Sequence, residues 1–201
     1  MGGPSGWRVA AALAAAVLTA SMAPASAATV AYAPRDPATW NNRQLAAQLT
    51  FSCVAASDLS RARRHAAAGI GGIALLGNDA PRDIRSKLAQ VEAAARGDVA
   101  PFISSDEEGG AVQRLRYRIY RLPSARTMGT WSSSRVRATA ADYGRRMRAL
   151  GLTMSFAPVA DLAVRGYYID NLGRAFAADP GVAARKVRAW RTGLQDAGVV
   201  P

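Results

Sequence analysis

The sequence predicts an α/β fold in which parallel strands alternate with helices. Ile70–Leu76 is a continuous apolar run bounded by glycines, which is typical of a strand covered on both faces. A second apolar run begins at Pro101, about 30 residues later, which is the spacing of a βαβ unit. Segments with helical periodicity lie between and after these runs. The alternation fits the N-terminal part of a (β/α)₈ TIM barrel, about three to four of its eight βα units, since a whole barrel typically needs about 250 residues.

Residues 1–27 have the features of a secretory signal peptide. Arg8 precedes an apolar run, Val9–Ala20, that is shorter than a membrane-spanning helix, and Ala25–Ala27 forms an A-x-A cleavage site. We therefore expect cleavage near Ala27, a secreted or extracytoplasmic protein, and no stable membrane anchor. Residues 28–43, rich in alanine and proline without periodicity, are predicted as a linker. Residues 44–201 are predicted as the domain.

The first half of the domain contains three predicted helices. The spacing of leucine, valine and alanine within Gln44–Ala55 predicts the first helix, and Cys53 within it is predicted to be a buried free thiol. A second helix is expected to begin at Ser57 or Asp58 and to end near Ala68. The third is predicted over Asp83–Arg96 and precedes the strand at Pro101.

The second half continues the same alternation. A strong helical periodicity predicts a helix over Ser132–Leu150, and the apolar run Leu152–Val159 predicts the next strand. Ala163–Asp179 is predicted as a long loop. Pro180 is expected to open a helix that extends to about Ala197, because proline is favoured in the first helical turn. Residues 198–201 resemble the start of a further strand.

A polar turn follows the strand that begins at Pro101. Asp106, Glu107 and Glu108 come directly after the apolar run, and Gly109–Gly110 follows them. In parallel α/β folds, ligands bind at the carboxyl ends of the strands. Glycines there allow the backbone to approach a ligand closely. The pattern predicts a ligand-binding site at this turn.

The composition argues against several other classes of protein. The formal net charge is +12, but nearly all of the positive charge is arginine scattered along the chain, so we expect no nucleic-acid partner. Non-specific binding of anionic polymers stays open as an alternative and would weaken steeply with salt. The single cysteine excludes a disulfide framework and a cysteine metal site. The sequence does not specify the oligomeric state.

Six segments in order resemble glycoside hydrolase family 3, and most closely its bacterial β-N-acetylglucosaminidase (β-N-acetylhexosaminidase) branch. They are IGGIALLG (70–77), SSDEEGGAVQRL (104–115), LPSARTMG (122–129), ALGLTMSFAPVADL (149–162), LGRAFAADP (172–180) and GLQDAGVVP (193–201). The resemblance implies a TIM-barrel domain and exo-acting, retaining hydrolysis of terminal β-linked N-acetylglucosamine from chitin or peptidoglycan fragments. It implies a carbohydrate substrate, no metal and no organic cofactor.

The resemblance also implies three substrate-binding residues, Asp106, Arg114 and Arg174. A carboxylate accepts hydrogen bonds from sugar hydroxyls, and a guanidinium is a rigid fork of donors. Each residue also has a purely structural alternative. Asp106 could cap a turn, Arg114 could be a surface arginine, and Arg174 could pair with Asp161 or Asp170 and shape its loop.

The resemblance places no catalytic residue in this sequence. The family's histidine acid/base lies after a K-H-F-P-G-H-G motif and its aspartate nucleophile on a later strand, whereas the only histidine here, His65, is predicted to be a surface or packing residue. Glu107 and Glu108 are interpreted as residues that shape the loop. We therefore expect a truncated family member that is inactive alone and, because its sheet has an open edge, marginally stable or prone to aggregate. A catalytically inactive glycan-binding module and a β-glucosidase-type member are the alternatives.

Overall fold

The computed structural model describes residues 36–95 and 99–201. The predicted signal peptide and most of the predicted linker lie outside this part of the chain. The strands of the described residues are β1 Phe51–Ala55, β2 Gly72–Leu76, β3 Phe102–Ser105, β4 Glu107–Gly109, β5 Val112–Gln113 and β6 Met154–Ser155. The helices are α1 Asn42–Gln48, α2 Leu59–Ala67, α3 Ile84–Ala93, α4 Ala125–Gly129, α5 Ser133–Leu150, α6 Tyr168–Asn171 and α7 Pro180–Asp196, after a short 3-10 turn, Pro37–Thr39.

Four of the strands form a parallel sheet in the order β1-β2-β3-β6. Phe51 of β1 lies opposite Gly72, which in turn lies opposite Phe102 of β3. On the other side of β6, Val200 forms a parallel bridge with Met154. Parallel neighbours joined by helical crossovers confirm the predicted α/β fold of a partial barrel.

The two faces of this sheet have different surroundings. Val54, Ile73 and Ile103 share one face and belong to the hydrophobic core with residues of the helices. Phe51 and Phe102 lie on the opposite face and remain partly exposed. Side chains alternate between the faces of a strand, so the core lies between the sheet and the helices.

Helices α5 and α7 confirm the sequence predictions for their segments. Ser132 caps α5 by accepting a hydrogen bond from the Arg135 backbone N–H at 3.2 Å, and Asp179 caps α7 in the same way. Gly193 brings the two helices into contact, because a Cβ there would lie 2.3 Å from the Arg137 carbonyl oxygen. Because α5 packs tightly against α7, the position of Tyr143, a fully buried residue of α5, is fixed.

The prediction of one helix over Gln44–Ala55 is wrong. Helix α1 ends at Gln48, and Phe51–Ala55 forms β1, which pairs with all five residues of β2. The sheet therefore contains one more strand than the sequence predicted. Short apolar runs do not distinguish strand from helix by periodicity alone, and here pairing with β2 decides the conformation.

The prediction of a buried Cys53 is also wrong. Cys53 lies in β1, on the same face as Phe51, and is exposed because the helices pack on the other face. Two further segments differ from their predictions. The 3-10 turn and the start of α1 fall within the predicted linker, and the short helix α6 forms inside the predicted loop Ala163–Asp179.

The predicted strand Leu152–Val159 is reduced to Met154–Ser155. Pro158 has no backbone N–H and cannot continue a ladder, so the chain leaves the sheet soon after Ser155 and enters the loop that leads to Arg174. Within residues 36–95 and 99–201, none of the helices combines the length and the apolar character that crossing a membrane requires.

Candidate substrate-binding site

The candidate site lies where two neighbouring parallel strands end. Asp106 follows β3 directly, and the loop that carries Arg174 follows β6. Because Ser105 of β3 lies opposite Ser155 of β6, the segments that leave these strands start side by side. This is the edge of a parallel sheet at which ligands bind.

Asp106 and Arg114 form an ion pair across the β4–β5 hairpin. Arg114 donates from Nε and Nη2 to Asp106 Oδ2, at 3.2 Å and 2.9 Å, and its backbone N–H donates to the Asp106 carbonyl. The antiparallel pairing of β4 with β5 brings these two residues together although eight positions separate them. Asp106 therefore holds the Arg114 side chain in place, and 26% of that side chain is exposed.

Arg174 forms a bidentate ion pair with Glu108. Its Nε and Nη2 donate to Glu108 Oε2 and Oε1, both at 2.8 Å, and the Glu108 side chain is only 6% exposed. This geometry is the strong form of an arginine–carboxylate pair. Arg174 does not pair with Asp161 or Asp170 as the structural alternative supposed: Asp170 pairs with Arg126 instead.

The three predicted binding residues lie near one another. The pKa of Arg174 is raised, first by its hydrogen bond to Glu108 and also by attraction to Asp106 and Tyr168. Because Arg174 binds Glu108, two positions after Asp106, Arg174 lies near Asp106 although the two residues belong to different loops. The structure brings Asp106, Arg114 and Arg174 together at one end of the sheet.

Several polar atoms of these residues have no protein partner within the described part of the chain. Both bonds from the Arg114 side chain go to Oδ2 of Asp106, and neither Oδ1 of Asp106 nor Nη1 of either arginine takes part in a hydrogen bond there. The side chains of Asp106, Arg114 and Arg174 are 23%, 26% and 20% exposed. The site therefore offers one carboxylate acceptor and two guanidinium donors, a set that suits a polyhydroxylated ligand.

A buried polar network lies beneath this surface and is centred on Glu107. Ser105 Oγ donates to Glu107 Oε1 at 2.7 Å, the Leu115 backbone N–H donates to the same oxygen at 3.1 Å, and the Tyr143 hydroxyl donates to Oε2 at 2.6 Å. Burial raises the pKa of Glu107 to about 7, although these hydrogen bonds act in the opposite direction. Glu107 thus connects β3, the segment after the hairpin and α5.

Gln113 extends the network to the segment after the hairpin. Its Nε2 donates to the Tyr143 hydroxyl oxygen and to the Tyr120 carbonyl, and its Oε1 accepts from the Leu122 backbone N–H. The sequence did not predict this role of Gln113 or the hydrogen bonds of Tyr143. A buried tyrosine usually needs a hydrogen-bond partner. A tyrosine in the predicted helix Ser132–Leu150 was therefore the available signal that a polar group lies opposite it.

Other candidate groups lie away from this chemistry. His65 is on α2, where Nδ1 and Ser52 Oγ of β1 share a hydrogen bond, in agreement with the prediction of a packing residue. Asp161 is exposed. Among residues 36–95 and 99–201, histidine, cysteine, aspartate and glutamate side chains form no group of three or more that could hold a metal ion.

The fold is that of a partial (β/α)₈ domain, and its candidate ligand site, formed by acidic residues and arginines, lies at the carboxyl ends of the strands. Residues 46–201 match the Glycosyl hydrolase family 3 N terminal domain. This match covers more than half of the sequence, so the chain belongs to this family.

Individual relatives agree with this assignment. The β-hexosaminidase LpqI of Mycobacterium tuberculosis is 40% identical over 134 residues, which are 66% of this chain and 34% of LpqI. The crystal structure of a family 3 glycosyl hydrolase from Mycobacterium smegmatis superposes with a TM-score of 0.72 and 37% identity, over 83% of this chain and 50% of the other. A β-N-acetylhexosaminidase from Beutenbergia cavernae superposes with a TM-score of 0.73 and 25% identity, over 80% and 52%. The chain thus spans about a third to a half of the length of these relatives.

Proposed function

We propose that this domain binds the terminal N-acetylglucosamine of a β-linked glycan and belongs to an exo-acting, retaining β-N-acetylhexosaminidase that acts on chitin or peptidoglycan fragments. The observation that carries the proposal is the Asp106–Arg114 pair, in which Oδ1 of Asp106 accepts no hydrogen bond from residues 36–95 or 99–201, next to the Glu108–Arg174 pair. Two similar proteins are named as a β-hexosaminidase and a β-N-acetylhexosaminidase, which supports this substrate class.

We assign binding, and not bond cleavage, to the residues of this site. A retaining glycosidase needs a nucleophile and an acid/base, generally two carboxyl groups about 5–5.5 Å apart on either side of the glycosidic bond. Here Asp106 and Glu108 are each paired with an arginine, and Glu107 is buried. We therefore propose that none of these three acids is the nucleophile or the acid/base. We also propose that the 201-residue chain binds sugar without hydrolysing it.

The test measures binding and turnover on the same preparation. We expect N-acetylglucosamine to bind the 201-residue chain in ligand-observed NMR and calorimetry, while a chromogenic β-N-acetylglucosaminide is not hydrolysed. Asp106→Asn should weaken binding by about ten- to a hundredfold, because it removes a charged acceptor. The matched control is Asp83→Asn, which removes an exposed carboxylate paired with Lys87 on α3 and should leave binding unchanged.

The outcomes separate the alternatives. Turnover by the 201-residue chain would contradict the assignment and make Asp106 and Glu108 candidate catalytic residues. Tighter binding of glucose than of N-acetylglucosamine would favour a β-glucosidase-type member. A catalytically inactive glycan-binding module is the second candidate, since Asp106 and Glu108 are each paired with an arginine. It predicts sugar binding without turnover even when the chain is extended by any downstream coding sequence.

We also propose that the protein is exported through a signal peptide in residues 1–27. The support is the apolar run Val9–Ala20 followed by an A-x-A site. N-terminal sequencing of the protein recovered outside the producing cell should give a chain that begins near Ala28. A retained Met1 would contradict cleavage.

A further inference from the structure

An exposed aromatic residue borders the candidate site. Tyr168 begins α6 in the loop after β6, six positions before Arg174, and is 68% exposed. Its ring centroid lies 5.9 Å from Cζ of Arg174. Since Nε and Nη2 of Arg174 bind Glu108, the guanidinium is fixed by a partner other than the ring. Most of the Tyr168 surface therefore remains available to a ligand.

The backbone around Tyr168 is tied to the site. The Arg174 N–H donates to the Ile169 carbonyl at 3.0 Å, and the Gly173 N–H donates to the Asp170 carbonyl at 2.8 Å. Arg126 of α4 binds both the carbonyl and the carboxylate of Asp170. These contacts hold the short helix against α4 and against the segment of Arg174, so the position of the tyrosine relative to the arginine is set by the fold.

A pyranose ring with equatorial substituents has two kinds of surface. Its hydroxyls point outward around the edge, while its axial C–H groups form an apolar face. The groups at Asp106, Arg114 and Arg174 match the edge, but none of them matches the face. Tyrosine combines a flat apolar ring with a polar tip that tolerates water, so Tyr168 supplies the surface that the charged residues lack.

We propose that Tyr168 is a stacking platform for a pyranose ring of the glycan bound at Asp106, Arg114 and Arg174. This inference rests on the proposed function, because it names a further binding residue of the same site. The ligand class is a β-linked oligosaccharide whose ring presents its axial C–H face to the tyrosine. Tyr168 binds substrate in this scheme and takes no part in bond cleavage.

The experiment compares three tyrosine variants of the full 201-residue chain, with N-acetylglucosamine and its β-linked disaccharide as the ligands. Tyr168→Ala removes the ring and should weaken binding of at least one ligand by about five- to tenfold, the order of a single aromatic contact. Tyr168→Phe retains the ring and should bind within about twofold of the wild type. Tyr117→Ala is the matched control: Tyr117 is 69% exposed and also lies 5.9 Å from an arginine, but that arginine, Arg116, binds the Gln113 carbonyl.

Each outcome has a defined meaning. If Asp106→Asn loses binding while Tyr168→Ala binds both sugars like the wild type, the stacking inference is overturned and the proposed function stands. If the wild type binds neither sugar, both are overturned. Equal losses of affinity in Tyr168→Phe and Tyr168→Ala would overturn stacking and indicate a hydrogen bond from the tyrosine hydroxyl to the sugar. An equal loss of affinity in Tyr117→Ala would also overturn it, by showing that the effect is non-specific. Retained circular dichroism spectra exclude unfolding as the cause, since Tyr168 contributes little to the core.

Discussion

Glu107 is a buried carboxyl group whose ionisation is opposed by its surroundings. It is 1% exposed and accepts hydrogen bonds from Ser105, Leu115 and Tyr143. The loss of water around the carboxylate outweighs these bonds, so the pKa rises from 4.5 to about 7. The residue that anchors the hairpin therefore changes its charge near neutral pH.

We predict that the stability of the folded chain falls as pH rises through this window. The folded state binds the Glu107 proton more tightly than the unfolded state, so the favourable contribution is complete below pH 4.5 and is lost as pH rises to about 7. At 1.36 kcal/mol per pKa unit, the loss is roughly 3 kcal/mol. Glu107→Gln imitates the protonated side chain and should flatten this part of the profile.

The measurement is urea denaturation of both proteins at several pH values between 4.5 and 7.5, where the difference between the two profiles isolates Glu107. Glu92→Gln, which removes an exposed carboxyl on α3, serves as the control and should follow the wild-type profile. Parallel profiles for the wild type and Glu107→Gln would show that the buried carboxyl does not govern this pH dependence.

At the level of elements, Gly109 constrains the hairpin β4–β5. Gly109 has φ +90° and touches the chain after the hairpin: a Cβ there would lie 2.2 Å from the Pro123 carbonyl oxygen. A backbone oxygen cannot move aside as the end of a long side chain can. Because Asp106 and Arg114 face each other only while this hairpin is closed, Gly109 supports the site without contacting a ligand.

We predict that Gly109→Ala is more destabilising than Gly69→Ala. Both glycines have positive φ values, +90° and +85°, so both substitutions carry a conformational penalty of about 1–2 kcal/mol. Only Gly109 adds a collision, because a Cβ at Gly69 has nothing within 4 Å. The extra cost of overpacking should be about 1–3 kcal/mol in urea denaturation. Equal losses of stability would mean that the hairpin can shift away from Pro123.

The elements also show how far the sequence could predict the fold. Helices α5 and α7 were predictable because they are long, strongly periodic and capped by Ser132 and Asp179. Strand β1 was not, because it has five residues, of which only Val54 is buried. Its conformation comes from pairing with β2, a contact between segments that local periodicity does not contain.

The candidate site, like the fold, could be predicted from the sequence only in part. Asp106, Arg114 and Arg174 were identified from motifs, and the structure places them together. The pairing of Arg174 with Glu108 was missed because 66 positions separate the two residues, and they meet only when β6 lies beside β3. The role of Glu107 was likewise hidden, since its partner Tyr143 lies on a helix that packs there only in the folded domain.

At the level of the whole molecule, one face of the sheet carries an exposed aromatic cluster. Phe51, Phe102 and Phe156 are 38%, 45% and 44% exposed. The rings of Phe51 and Phe102 are stacked with centroids 6.5 Å apart, and Phe156 lies edge-on to Phe51 at 5.9 Å. A contiguous apolar patch of this kind favours association, while the formal net charge of +12 opposes it through mutual repulsion.

We predict that the 201-residue chain self-associates through this aromatic cluster and that salt strengthens the association. Screening of the net charge removes the repulsion and leaves the apolar attraction. Phe102→Lys places a charge within the cluster and should shift the protein toward monomer in sedimentation velocity at high salt. Tyr117→Lys, which replaces an exposed aromatic residue outside the sheet, should associate like the wild type. A wild-type chain that stays monomeric at every concentration and salt level would contradict the prediction, whereas dissociation by Phe102→Lys alone would locate the contact on the open face of the sheet.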